Sequence, residues 1–172
     1  MKQREGGHFV GLYTGLLFVA KLFSTTPSWS AAPNILICNN SGATEYRVSR
    51  AVRFWEALGH SFGEVYKATS ENIHCASGEP PYATIMIDIP SQNFNFGSHL
   101  GTTKIWWNTT TGEIIKSKVE IKTGWENSER IIEHEIGHAI GYKDNSIIGH
   151  MMNSSWTRGG YNKKGLRRQE SN

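Results

Sequence analysis

The chain has 172 residues, of which 38% are hydrophobic and 19% charged, and its formal net charge is +3. Removal of an N-terminal export signal would leave about 140 residues, enough for one compact domain and too few for two. The sequence contains no internal repeat and no low-complexity segment, which excludes a repeat architecture. Apart from a short basic C-terminus, nothing in the charge distribution indicates nucleic-acid binding.

The first 32 residues have the composition of a secretory signal peptide. A basic start at residues 1–4 precedes an apolar stretch at 9–23, and the small residues of SWSAA follow. The apolar stretch is shorter than the roughly 20 residues that span a bilayer, which makes a membrane anchor the weaker alternative. We therefore predict cleavage near Ser30 or Ala32, a secreted protein and no membrane attachment after processing.

Four elements are predicted in the first half of the domain. The apolar run NILIC predicts a strand at residues 35–38. Apolar residues recur at helical spacing through 44–58, and Gly59 follows as a stop signal. Two further apolar runs predict strands at 62–66 and 83–89.

The second half is predicted to hold two strands and a second long helix. The span 102–122 contains KIWW and KSKVEIK, which the turn signal NTTTG separates. Apolar residues such as Ile132 and Ile136 then recur at helical spacing. Asn127 or Ser128 is predicted to cap this helix.

The most informative motif lies on that helix, where residues 134–144 read HEIGHAIGYKD. Two histidines four positions apart lie on one helix face, so His134 and His138 can bind one zinc ion. The isoleucines project from nearly the opposite side, which argues against two structural histidines in the core. Glu135 stands beside the metal, and we predict that it is the catalytic residue, acting as general base and then general acid.

The third ligand is predicted a few residues after the helix. Gly141 can adopt the left-handed conformation that turns the chain back beneath the metal. Asp144, one of only two aspartates in the chain, follows where a third ligand is needed. His150 remains an alternative, either as the ligand or as a cleft residue that binds substrate. We predict a Zn²⁺ site formed by His134, His138 and Asp144.

The motif resembles the HExxHxxGxx(H/D) zinc-binding consensus of the metzincin metallopeptidases. Its aspartate ligand is similar to that of the small secreted metzincins of the snapalysin type. The resemblance implies an α+β fold in which a twisted mixed sheet of about five strands packs on a first helix and a zinc-binding active-site helix. It also implies a methionine in a turn below the histidines, for which Met152 is preferred and Met151 remains open.

The same resemblance implies that an edge strand above the cleft binds extended peptide. Gly101–Trp107 is the candidate, because exposed backbone groups on this strand can pair with an added strand. Trp106 and Trp107 point to opposite faces, so one is a candidate subsite residue and the other a core residue. Packing of both in the core is the alternative.

Cys38 and Cys75 are the only cysteines in the chain. In an exported protein they are predicted to form one disulfide, which contributes about 3 to 4 kcal/mol by loop entropy if it is unstrained. The competing possibility is that the Cys38 thiolate blocks the zinc in a latent form. Its place within a strand favours the disulfide.

These observations divide the chain into a signal peptide at 1–32, a catalytic domain at 33–157 and a basic tail at 158–172, which we expect to be flexible. They predict a secreted, monomeric zinc endopeptidase with peptide or protein substrates. A catalytically silent binding or toxin-like domain and a zinc hydrolase of a non-peptide amide remain as alternatives. The intact Glu135 argues against the silent domain, because loss of this base is the simplest route to inactivity.

Overall fold

The computed structural model describes residues 26–69, 71–90, 96 and 99–168. This part of the chain is α+β, with a five-stranded mixed sheet and three α-helices. In chain order the elements are β1 at Asn34–Ile37, α1 at Glu45–Glu56, β2 at Val65–Lys67, α2 at Ile73–Ser77, β3 at Thr84–Asp88, β4 at Gly101–Trp107, β5 at Ile114–Ile121 and α3 at Ile131–Ala139, with a 3₁₀ turn at Asn39–Ser41 after β1.

The strand order across the sheet is β2-β1-β3-β5-β4. The first four of these strands run parallel, whereas β4 pairs antiparallel with β5 and forms one edge. The central strand β3 is buried along its whole length, because Ile85 and Ile87 pack in the main core with α1 and α3, and Met86 packs in a smaller cluster on the other face. The strand order places β4, the strand predicted to bind substrate, at an edge of the sheet.

The helices α1 and α3 pack side by side on the same face of the sheet. Trp55 of α1 is fully buried, and its indole N–H donates to the backbone oxygen of Glu133 at 2.8 Å. The Glu133 carboxylate pairs with both terminal nitrogens of Arg47, and both residues are buried. Removing one partner would leave an uncompensated buried charge, which costs about 3 to 5 kcal/mol, so this pair holds α3 in place.

Two predicted boundaries are wrong. The strand expected at 62–66 is β2 at Val65–Lys67, because the N–H of Glu64 donates to the side-chain oxygen of Asn34 at 2.9 Å and not to the backbone of β1. The cap expected at Asn127 or Ser128 is also absent. The helix α3 starts only at Ile131, after Arg130 in a left-handed conformation with φ of 69° and no side-chain cap.

Asn127 has a different role from capping α3. Its side-chain oxygen accepts hydrogen bonds from the backbone N–H and the hydroxyl of Thr44, at 3.2 and 3.0 Å. Thr44 is itself the N-cap of α1, where its side chain accepts from the N–H of Arg47. The loop before α3 is thus bound to the start of α1.

The predicted disulfide is present. Cys38, directly after β1, is bonded to Cys75 in α2, with the two Cα atoms 5.5 Å apart. The bond closes a separation of 37 residues, which corresponds to about 4 kcal/mol of loop entropy. The alternative of a Cys38 thiolate on the metal is therefore wrong.

The segment just before β1 is bound to the domain. Ser28 pairs with the start of β5: its N–H donates to Gly112, and its carbonyl accepts from Ile114 at 2.8 Å. The indole N–H of Trp29 donates to the backbone oxygen of Ala139 at 2.9 Å. The boundary predicted at residue 32 thus falls inside a segment that contacts the end of α3. The basic start and the apolar stretch of the predicted signal peptide lie outside the described residues.

The start of the predicted flexible tail packs on the domain. Leu166 is buried, and the N–H of Arg168 donates to the oxygen of Leu58 at 3.1 Å. The backbone oxygen of Asn162 accepts a hydrogen bond from the N–H of Met151 at 3.0 Å. Residues 158–168 thus differ from the mobile tail we expected, and 169–172 lie outside the described residues. Within the described ranges, no helix has the length and apolar character needed to cross a bilayer.

Candidate functional site

The two faces of α3 differ as its sequence predicts. Ile132, Ile136 and Ala139 are fully buried against the sheet and α1. His134 and His138 lie on the other side and are only partly buried. The histidines are therefore free of the core and face a cavity.

The two histidines and Asp144 converge on one point. The Nε2 atoms of His134 and His138 are 3.1 Å apart. Asp144 Oδ1 lies 3.3 Å from the first Nε2 and 3.5 Å from the second. A tetrahedral zinc ion with bonds near 2.1 Å holds its ligand atoms about 3.4 Å apart, so the donor triangle has the dimensions of a zinc site. These three side chains are also the only cluster of metal-binding type among the described residues.

The hydrogen bonds behind the histidines orient their lone pairs toward the same point. Nδ1 of His134 lies 2.9 Å from the oxygen of Met151, and Nδ1 of His138 lies 2.8 Å from the oxygen of Tyr142. A carbonyl can only accept, so each Nδ1 carries the hydrogen and each Nε2 keeps a lone pair. Burial lowers the pKa of His134 to about 4, which keeps its ring neutral at ordinary pH. Two Nε2 lone pairs that face each other are suited to share a cation.

The turn after α3 explains how Asp144 reaches the histidines. Gly141 adopts φ of 101°, in the left-handed region, as the sequence predicts. Its N–H donates to the oxygen of His138, and the next N–H, from Tyr142, donates to Gly137. A Cβ atom at Gly141 would also clash with the backbone oxygen of Pro27. Glycine is thus required here both by the backbone conformation and by the close approach of the N-terminal segment.

Met152 lies beneath α3. A Cβ atom at Gly137, between the two histidines in sequence, would lie 2.5 Å from Met152 Sδ and 2.6 Å from a ring carbon of Trp55. Met152 is therefore the methionine that packs under this part of the helix. Met151 is equally buried, and its contribution is the backbone oxygen that receives the His134 hydrogen bond.

His150 does not belong to the cluster. It is almost completely buried, and its Nε2 lies 2.9 Å from the oxygen of Lys164. Its Nδ1 accepts from the N–H of Met152 at 3.0 Å and lies 2.7 Å from the side-chain nitrogen of Asn145. Both ring nitrogens therefore have protein partners, so the ideas that His150 is a metal ligand or contacts substrate are wrong.

Glu135 is buried beside the donor triangle. Its Oε2 lies 2.6 Å from the hydroxyl of Thr103 on β4. Burial raises the pKa of Glu135 to about 7, against the smaller opposing effects of His138 and the Thr103 hydrogen bond. A carboxyl group that titrates near neutrality can both accept and return a proton under ordinary conditions.

A cavity of about 420 Å³ contains the whole site. One wall is the first part of β4, and the floor holds the donor triangle and Glu135. The lining residues are Phe96, His99, Gly101, Thr102, Thr103, Ile105, His134, Glu135, His138, Asp144 and Ser154. The β4 residues of this lining belong to the strand Gly101–Trp107, which was predicted from the sequence to lie beside the cleft. The contact of Thr103 with Glu135, and the lining residues His99 and Ser154, were not predicted, because their proximity to α3 depends on sheet packing and not on a local spacing.

The two tryptophans of β4 do not line this cavity. Trp106 lies between Lys104 and Lys116, whose ammonium nitrogens are 4.8 and 5.2 Å from its ring centre. Trp107 is 43% exposed. Ile105, the residue before them, lines the cavity instead. The expectations that one tryptophan lines a subsite here, or that both lie in the core, are therefore wrong.

The chain matches no known protein-family model, and no curated protein matches it.

Proposed function

We propose that this protein is a secreted zinc-dependent endopeptidase similar to the metzincins. The observation that carries the proposal is the convergence of two imidazole nitrogens and one carboxylate oxygen within 3.5 Å of each other, in a cavity that also holds a buried glutamate. Such a donor set leaves a fourth tetrahedral position open, which is typical of catalytic rather than structural zinc sites.

His134, His138 and Asp144 would hold the zinc ion. The ion would supply a Lewis acid that makes a water molecule more acidic and polarises a carbonyl group. The protein contributes the orientation of the ligands: the backbone oxygens of Met151 and Tyr142 fix each histidine so that only Nε2 is available.

Glu135 moves the proton. It accepts one proton from the attacking water as the oxygen of that water forms a bond to the carbonyl carbon of the substrate. It then donates this proton to the nitrogen of the leaving amine as the carbon–nitrogen bond breaks. The products are a carboxylic acid and an amine, and Glu135 returns to its starting state without a covalent intermediate.

The edge strand β4 would bind the substrate. Its outer edge is unpaired within the sheet, and its first residues line the cavity beside Glu135. An extended peptide that paired with this edge would pass over the donor triangle. This arrangement favours peptide or protein substrates over small amides.

Secretion and a monomeric state are part of the same proposal. The sequence of residues 1–32 has the features of an export signal. The disulfide between Cys38 and Cys75 agrees with an oxidising compartment, where such bonds persist.

The test is a comparison of the wild-type protein with Glu135→Gln, a variant of nearly identical size that cannot accept the proton. Both proteins are loaded with zinc, their metal content is measured, and they are incubated with casein, a peptide library and peptidoglycan fragments. We expect both to bind one zinc ion, the wild type to cleave peptides, and the variant to lose a factor of about 100 or more in kcat. Cleavage of peptidoglycan alone would identify a non-peptide amide as the substrate.

Two results would refute the proposal. One is a protein that binds no zinc and gains no activity when zinc is added. The other is zinc binding without turnover of any of the three substrates, which would favour a silent binding domain.

A further inference from the structure

The catalytic glutamate is enclosed by two residues of the edge strand. Gly101 and Thr103 lie two positions apart in β4, so they share a face, and their partners in β5 are the buried Ile121 and Val119. This face is directed toward α3. Both residues meet the side chain of Glu135.

The contact from Thr103 is polar. Its hydroxyl oxygen lies 2.6 Å from Glu135 Oε2 and 3.0 Å from the Glu135 backbone oxygen. The hydroxyl has one hydrogen and donates to one of these oxygens at a time, and the side-chain oxygen is the closer. Threonine is branched at Cβ and has few side-chain rotamers, so the position of this donor is well defined.

The contact from Gly101 is steric. A Cβ atom at this position would lie 2.6 Å from Glu135 Oε1 and 2.8 Å from Cδ and Cγ of the same side chain. The φ angle of Gly101 is not in the left-handed region, so the backbone conformation does not require glycine. The requirement comes from the close approach of the Glu135 side chain. The absence of a side chain at Gly101 is what lets the carboxylate lie against the strand.

We propose that Thr103 is a positioning residue for Glu135, and that Gly101 provides the space in which the carboxylate is held. This inference rests on the proposed function. A general base must lie within about 3 Å of the proton it takes, and a displacement of about 1 Å lowers rates strongly. Because the same strand would bind the peptide, the base and the substrate are aligned by one rigid element.

The test uses two replacements of Thr103 that separate its hydroxyl from its shape. Thr103→Val keeps the shape and removes the donor, and we expect kcat to fall about 10- to 100-fold with KM and zinc affinity unchanged. Thr103→Ser keeps the donor, and its kcat should remain within about threefold of the wild type. The matched control is Thr84→Val in β3, which removes another buried hydroxyl that donates to a backbone oxygen, at 3.1 Å, and should leave kcat unchanged.

Three kinetic results would overturn the inference: wild-type kcat in Thr103→Val, equal losses in Thr103→Val and Thr103→Ser, or a rise in KM alone. The last would mean that Thr103 acts on substrate and not on the base. If the valine variant does not fold, Gly101→Ala replaces it. The added methyl group should displace the carboxylate and lower kcat by a similar factor, and wild-type kcat in this variant would also refute the proposal.

A crystal structure of Thr103→Val separates this inference from the proposed function. We expect the Glu135 carboxylate to have moved by about 1 Å or more, whether or not the protein cleaves peptides. An inactive wild-type protein with a displaced carboxylate in the variant would refute the peptidase proposal alone. An unmoved carboxylate would refute the positioning role.

Discussion

Two histidine environments lie within 20 residues of each other in the chain, and they differ in how the ring nitrogens are hydrogen-bonded. His150 has a protein partner at every nitrogen: Lys164 at Nε2, and Met152 and Asn145 at Nδ1. His134 and His138 each have one backbone partner at Nδ1, and their Nε2 atoms face each other and Asp144. The first environment is satisfied by protein groups alone, whereas the second leaves lone pairs that face one another, as the proposed zinc site requires.

This difference separates a structural histidine from a metal-binding one better than proximity in sequence does. His150 follows Asp144 closely and is an imidazole, which makes it a reasonable ligand on sequence grounds. Its ring is nevertheless used to join the turn that holds Met152 to the C-terminal segment that holds Lys164. Its function is to support the floor of the site and not to contact the metal.

The largest effect that this comparison predicts is on metal affinity. Asp144→Ala should weaken zinc binding by more than about 100-fold, because it removes a direct ligand. Loss of a residue that only hydrogen-bonds a ligand weakens metal binding by up to about 100-fold. Competition with a chelator of known affinity measures this change. The matched control is Asp88→Asn, at the chain's other aspartate, which pairs with Lys118 at 3.1 Å and lies outside the donor triangle. Equal losses in the two variants would contradict the assigned ligand.

The converse prediction concerns the stability of the metal-free protein. His150→Leu should lower the free energy of unfolding by about 3 kcal/mol, because it removes the three hydrogen bonds that the buried ring makes. His134→Leu should cost about 1 kcal/mol, since its ring makes one backbone hydrogen bond. Urea unfolding in the presence of a chelator compares them. A larger cost at His134 would reverse the roles that we assign to the two environments.

The pH dependence of the metal-free protein sharpens the same comparison. Burial lowers the pKa of His134 to about 4, so between pH 4 and 6.5 the unfolded chain binds more protons than the folded protein. Stability from this group therefore decreases as pH falls through that window. The pKa of Glu135 is raised from 4.5 to about 7 by burial, so the folded state holds more protons in that window, and this contribution is lost as pH rises. The two effects oppose each other from about pH 4.5 to 6.5.

Glu135→Gln removes one of these opposing effects. The free energy of unfolding of the variant should therefore rise with pH across this window more steeply than that of the wild type, by up to about 1.4 kcal/mol per pH unit. Urea titrations of both metal-free proteins at several pH values measure the slopes. Parallel curves would show that Glu135 does not titrate in this range.

The smallest predicted effect concerns the support of α3 from the N-terminal side. Trp29→Phe removes the hydrogen bond to the oxygen of Ala139, next to His138, and should lower the free energy of unfolding by about 1 kcal/mol. A protein that begins at Pro33 should lose at least as much relative to one that begins at Thr26. Thermal unfolding compares these forms, and N-terminal sequencing of the exported protein shows which of them is made. Equal stability would mean that residues 26–32 only lie on the surface.

Local spacing was sufficient to predict that the side chains of His134, His138 and Asp144 lie together. His134 and His138 are one helical turn apart, Gly141 adopts the left-handed turn, and Asp144 follows three residues later. The helix α1 was predicted for a similar reason, since its apolar period and the glycine that follows it are local features. The disulfide needed only the count of two cysteines and the inferred export.

Other parts of the site depend on contacts between residues far apart in the chain. Thr103 meets Glu135 across 32 positions, and Arg47 meets Glu133 across 86. The role of His150 depends on Lys164, and the start of α3 depends on a left-handed Arg130 that no cap signal indicates. Spacings of a few residues therefore determined which side chains can bind the metal, because backbone geometry repeats over short intervals. Which side chains orient and support these three residues was decided only by tertiary packing. The strand β4, the N-terminal segment and the C-terminal segment all pack around α3, and such packing has no local signal in the sequence.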